Sequence, residues 1–196
     1  RDDEILCVGR ASDPNKGIRT LLEALTRLPR DVKLTLVDDD PPDGGARKQA
    51  RRLGCADRLH VTGRVDVETL VGLYRRAALV VVPSRYEGFG LPAAEAMACG
   101  TPVVATRAGA LPEVVGVGGG GVLVPRDDPQ ALARAIADLL ARPSARAELG
   151  ALARKRIEAA YAWPRVARAT ADVYYEMLAE RRGRPASTTT SASAGA

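Results

Sequence analysis

The sequence predicts an α/β fold, a doubly wound parallel sheet of Rossmann-like type, and three observations point there. Short apolar runs alternate along the chain with segments of helical period, the pattern of strand-helix-strand units with parallel pairing and right-handed crossovers. The 196-residue chain is 46% hydrophobic but only 4% aromatic, so its interior is built from Val, Leu, Ile and Ala, the side chains that suit parallel strands covered by helices. This length also fits a single domain with one core.

The strands are expected at Glu4 to Gly9, Val32 to Val37, Leu59 to Thr62, Leu79 to Val82, Pro102 to Ala105 and Val122 to Val124. The first helix carries Ile18, Leu21, Leu22, Leu25 and Leu28 on one face, and the third carries Val67, Leu70, Val71, Tyr74 and Ala78; both stripes are expected to cover the sheet. Three more helices are expected at Pro129 to Ala141, Pro143 to Tyr161 and Pro164 to Arg181, each with Pro near its start, where a missing N–H costs nothing. From Arg182 to Ala196 the chain is Gly, Arg, Pro, Ser, Thr and Ala, and a disordered tail is expected after a domain spanning residues 1–181.

Composition removes several function classes. The formal charge is +5 and the pI near 9.4, but both signs are interspersed, and no basic block supports nucleic-acid binding. Cys7, Cys55 and Cys99 stand at wide spacing inside apolar patterns, which reads as reduced core thiols rather than a metal site. No stretch reaches the length of a membrane span, and Arg1-Asp2-Asp3-Glu4 is not a signal peptide; a soluble, cytoplasmic protein is expected.

In a doubly wound sheet the ligand lies beyond the carboxyl ends of the strands, so the loops there carry the functional reading. The densest is Ser84-Arg85-Tyr86-Glu87-Gly88-Phe89-Gly90-Leu91-Pro92, running on to Glu95 and Gly100. Gly88 and Gly90 let backbone approach a ligand, and Pro92 marks a helix start whose free N–H groups and positive dipole suit a diphosphate. Carboxylates at Glu87 and Glu95 would be repelled by phosphate, so sugar or ribose hydroxyls are their expected partners. A second constellation is Val8-Gly9-Arg10 at the end of the first strand with Asn15-Lys16-Gly17 at the head of the first helix. Together, a forked guanidinium and a point-charge ammonium would neutralise a leaving diphosphate without metal.

Taken in order, Val8-Gly9-Arg10, Lys16-Gly17, Gly63-Arg64-Val65, Pro83-Ser84, Glu87-Gly88-Phe89-Gly90-Leu91-Pro92, Glu95-Ala96, Gly100-Thr101-Pro102-Val103-Val104-Ala105 and Glu113-Val114-Val115 closely resemble family 4 glycosyltransferases. The resemblance runs from about Glu4 to Leu178, and its most specific element is the pair of Glu residues seven residues apart around Gly-Phe-Gly. It implies the C-terminal, donor-binding half of a GT-B fold, with a nucleoside diphosphate sugar as substrate and no metal cofactor. It also implies retention of anomeric configuration by front-face attack. By the same resemblance Arg10 and Lys16 hold the donor diphosphate, Glu95 the ribose and Glu87 the transferred sugar. Gly9, Gly88 and the backbone of Phe89, Gly90 and Leu91 lie along the donor, and Gly63-Arg64-Val65 lies against the base. The acceptor site would belong to an N-terminal domain absent from this chain, towards which residues 164–181 would cross.

Other signals are weaker. Asp38-Asp39-Asp40 continues into Pro41-Pro42-Asp43-Gly44-Gly45, a turn composition rather than a metal cluster, and departs from the Gly-rich sequence of many relatives. Gly118-Gly119-Gly120-Gly121 leads into a strand instead of a helix, and no Gly-x-Gly-x-x-Gly follows the first strand, which counts against a dehydrogenase. His60 reads as structural. The face around Arg142, Arg146, Arg154, Lys155 and Arg156 leaves open a peripheral contact with the inner face of a membrane. Two alternatives to glycosyl transfer stay open: a non-catalytic nucleotide-sugar-binding or regulatory module, and a GT-B-like sugar-nucleotide epimerase.

Overall fold

The structure, a computed structural model, describes residues 4–116 and 119–183. Its contacts separate two compact units, Arg1–Ala159 and Ala160–Ala196. The first unit holds one six-stranded sheet, all strands parallel, in the order β3-β2-β1-β4-β5-β6. The strands are β1 (Glu4–Val8), β2 (Lys33–Val37), β3 (Leu59–Val61), β4 (Leu79–Val82), β5 (Val103–Thr106) and β6 (Gly121–Val124). Every residue of β4 and β5 is buried, as expected of central strands covered on both faces.

The helices are α1 (Ile18–Leu25), α2 (Gly45–Leu53), α3 (Val67–Arg76), α4 (Leu91–Ala98), α5 (Leu111–Val115), α6 (Pro129–Leu140), α7 (Pro143–Tyr161) and α8 (Trp163–Gly183). On α1 the apolar stripe behaves as expected: Leu21, Leu22 and Leu25 are fully buried, each contributing about 1.5–3 kcal/mol by leaving water. The stripe on α3 does not. Val67 is 77% exposed and Leu70 and Val71 are half-buried; of that stripe Tyr74 and, past the helix end, Ala78 are buried, and α3 packs against α4.

Two arginines assigned to the exposed basic face belong elsewhere. Arg146 is buried and donates to the carbonyls of Leu139 and Leu140, satisfying acceptors left over at the end of α6. Arg156 does the same for Glu113 and Val114 at the end of α5. The Asp38-Asp39-Asp40 carboxylates take different partners: Asp38 accepts from Ala11 N, Asp39 pairs with Arg64, and Asp40 accepts from Arg47 N at the head of α2.

In the second unit α8 runs to Gly183, two residues past its expected end, and carries Trp163, Val173, Tyr174, Tyr175 and Met177 exposed. Gly118 and residues 184–196 of the expected tail lie outside the described residues. Among the described residues no helix is long and apolar enough to cross a membrane.

The strand order reverses between β1 and β4, so the loops that follow these two strands flank the crevice where such sheets take their ligands.

Candidate functional site

The chain leaves β1 under tight control. Gly9 N bonds Val37 O, extending the β1–β2 ladder by a step, and Ala11 N donates at 2.7 Å to the buried carboxylate of Asp38. Asp13 then caps a 3-10 turn, Pro14–Lys16, by accepting from Asn15 N. Gly17 enters α1 at φ 63°, and a Cβ there would overlap the carbonyl oxygen of Pro83. Only glycine lets the two loops lie this close.

Backbone joins them directly: Arg85 N donates to Asn15 O at 2.7 Å. Across that junction Lys16 Nζ meets Glu87 Oε2 at 2.9 Å, with the two side chains 25% and 12% exposed. Ser84 Oγ donates to the same carboxylate oxygen at 3.1 Å. The loop holding Glu87 is fastened from further strands as well. Thr106 at the end of β5 donates to Ser84 O, Ala110 N donates to Glu87 O at 3.0 Å, and Arg126 Nη1 reaches Arg85 O. Gly109, at φ 50°, packs so close that a Cβ would overlap Glu87 O. The Arg85 guanidinium pairs with Asp127, the one non-glycine among the described residues with a positive φ.

Beyond Glu87 the chain opens. An added Cβ at Gly88 would meet nothing within 4 Å, so the space beside it is unfilled by protein. Gly90 takes φ 97° as the N-cap of α4, which has no side-chain cap; Pro92 carries no N–H and Ala93 and Ala94 N donate to Gly90 O, so the helix start offers the Leu91 N–H and its positive dipole end. Phe89 and Leu91 are exposed on either side of it. Glu95, one turn into α4, accepts from the hydroxyl of Tyr74 at 2.9 Å.

Arg10 takes a different place from Lys16. It is exposed, has no ion pair among the described residues, and lines a cleft of about 430 Å³ beyond the ends of β1, β2 and β3. Asp39, Arg64 and Val65 line the same cleft. Arg64 Nη2 pairs with Asp39 at 2.8 Å, and that hydrogen bond, with the guanidinium charge, lowers the Asp39 pKa. Below the β1 loop the Cys7 thiol is pushed up to about 12 by burial and then by the charge of Asp38.

The structure thus gathers Lys16, Glu87 and the Gly88-Gly90 turn at the β1–β4 junction, Arg10, Arg64 and Val65 in the adjoining cleft, and Glu95 against α3. Sequence reasoning missed Tyr74, read as core, and Ser84, Asp38 and Gly109 as supports. A signal for Ser84 existed, since it stands three residues before Glu87 on the same loop. Tyr74 had none beyond being one of few aromatics.

Residues 2–142 match the family of glycosyl transferases group 1. The chain belongs to that family. Over 180 residues this group 1 chain is 41% identical to the MMP alpha-(1->4)-mannosyltransferase of Mycolicibacterium hassiacum, covering 90% of this chain and 44% of that protein. The sucrose-phosphate synthase of Thermosynechococcus elongatus superposes with TM-score 0.81 at 38% identity, over 90% of this chain and 46% of the other. Alr3699/HepE of Anabaena, solved with UDP and glucose, superposes with TM-score 0.78 at 27% identity, over 89% and 48% of the two chains. The chain spans about half the length of these proteins. Its sheet is the Rossmann-like C-terminal half of a GT-B fold.

Proposed function

We propose that this group 1 chain binds the nucleoside diphosphate sugar of a retaining glycosyltransferase, which moves the sugar to an acceptor hydroxyl. The observation that carries the reading is the Lys16–Glu87 contact at 2.9 Å, held at the sheet's switch point beside the uncapped start of α4. A cation, a carboxylate and the positive end of a helix within one rigid junction suit a sugar joined to a diphosphate.

In this reading Lys16 and Arg10 neutralise the diphosphate as the glycosidic bond loosens, without metal. Glu87 serves hydroxyls of the transferred sugar, and Glu95 serves the ribose. Gly9, Gly88 and the backbone of Phe89, Gly90 and Leu91 lie along the donor, with Arg64 and Val65 against the base. Departure of the diphosphate and attack by the acceptor on the same face give retention. A second, N-terminal domain supplies the acceptor site. The likeness to Alr3699/HepE, a structure that contains UDP and glucose, supports the choice of donor class.

Calorimetric titration with UDP, GDP and ADP tests the reading. One of them binds with micromolar to millimolar affinity, and Lys16→Ala weakens it at least tenfold. Failure of all three at millimolar concentration, or an unchanged Lys16→Ala variant, overturns the assignment.

A further inference from the structure

Tyr74 is the largest fully buried side chain of the molecule's described part, yet its hydroxyl does not end on a core partner. It reaches the exposed residue Glu95 on a neighbouring helix, donating to Oε2 at 2.9 Å. The backbone of Tyr74 is fastened as well, because the buried hydroxyl of Thr101 donates to its carbonyl at 2.7 Å. A side chain fixed by packing and by its own backbone therefore ends in one donor aimed at one carboxylate. Burial, and then the neighbouring Glu95 charge, raise the Tyr74 pKa, so the hydroxyl stays protonated and donating.

We propose that Tyr74 is a positioning residue that holds the Glu95 carboxylate in the orientation that receives the ribose diol of the donor. The proposal rests on the assignment of Glu95 to the ribose. A carboxylate has about four acceptor positions, and one phenolic O–H occupies one of them, which leaves Oε1 and the second lone pair of Oε2 for two hydroxyls. Without the tyrosine an exposed glutamate samples several rotamers, and the nucleotide must immobilise it on binding. That cost corresponds to a loss of roughly two- to tenfold in affinity. The loss applies only to ligands that carry the diol.

The test compares whichever of UDP, GDP and ADP binds with its 2′,3′-dideoxy counterpart, by calorimetry, on the wild type and on Tyr74→Phe, Glu95→Gln and the double variant. Phenylalanine keeps the buried ring, and water can replace the lost bond at exposed Glu95, so Tyr74→Phe folds; thermal melts verify this. The expected result is a several-fold weaker ribonucleotide and an unchanged dideoxynucleotide in Tyr74→Phe. Glu95→Gln should abolish the preference for the diol, and Tyr74→Phe should add nothing in that background. Equal weakening of both nucleotides in Tyr74→Phe, or of neither, overturns the proposal while the donor reading stands. A wild type that binds no nucleoside diphosphate overturns the donor reading itself, and a wild type that binds both forms equally removes Glu95 from the ribose.

Discussion

Lys16→Ala isolates the central contact of the site, and its cost follows from the geometry. At 2.9 Å and an effective dielectric of about 20, the gross attraction between Lys16 and Glu87 is roughly 6 kcal/mol. Most of this is offset by desolvation, because Glu87 is only 12% exposed, while 25% exposure of Lys16 lets water screen the remainder. The net loss then falls between the values for exposed pairs, about 0–1 kcal/mol, and for buried pairs broken on one side, about 3–5 kcal/mol. We expect about 2 kcal/mol by urea denaturation, equivalent to a melting point roughly 4–8 °C lower. Removing the cation leaves Glu87 with Ser84 Oγ as its side-chain donor among the described residues. Glu87→Gln in the Lys16→Ala background should therefore recover about 1 kcal/mol, since a neutral amide needs no counter-charge. Nucleotide affinity should not recover with it. Strictly additive destabilisation in the double variant would refute the coupling, and affinity that returns along with stability would refute a direct role for Lys16 in binding.

Three other outcomes follow from the same geometry. Gly17→Ala combines an unfavourable φ of 63° with overlap on the Pro83 carbonyl, and should cost about 3 kcal/mol or more in urea denaturation; Gly45→Ala, which meets nothing within 4 Å, should be neutral or stabilising by up to about 1 kcal/mol. Arg64 lowers the Asp39 pKa, so the pair's contribution is present above the unfolded-state value and lost as pH falls through the folded one; Arg64→Met should move the NMR titration of the Asp39 carboxyl upward. With Cys7 pushed up to about 12 and Cys55 also raised by burial, Ellman's reagent at pH 8 should modify half-buried Cys99 first and reach the other two only as the protein unfolds.

The sheet was legible because its central strands are buried on both faces and its strands are bounded by Gly, Pro and charged residues; β1 ends at Val8 where Gly9 was expected to close it, and β5 is shifted by one residue. Weaker helices were harder to read. In α2 only Ala46 and Ala50 are buried, too little for an apolar stripe, and of the stripe expected on α3 only Tyr74 and Ala78 are buried. The convergence of the β1 and β4 loops followed from the strand alternation, since the reversal of strand order is a property of doubly wound sheets. The pairing of Lys16 with Glu87 could not be read that way: 71 residues separate them, and nothing local distinguishes a lysine aimed at a phosphate from one aimed at a carboxylate. Tyr74 was hidden for a related reason. Its ring obeys the core pattern, and only coordinates reveal where the hydroxyl ends.

The fastening of the site explains why charge can be concentrated there without collapse of the loops. The supports of the Glu87 segment come from the carboxyl ends of three strands: Asn15 after β1, Thr106 at the end of β5 with Ala110 beyond it, and Arg126 after β6. The carboxylate is therefore held by backbone that cannot shift without disturbing several loops, and Lys16 is held by the carboxylate. On the proposed reading, a diphosphate meets an ammonium already in position and shares it with Glu87, so little reorganisation accompanies the growth of negative charge on the leaving group. Arg10 complements this arrangement. On the same reading, Arg10, exposed and without an ion pair among the described residues, brings a charge that is not shared with a carboxylate.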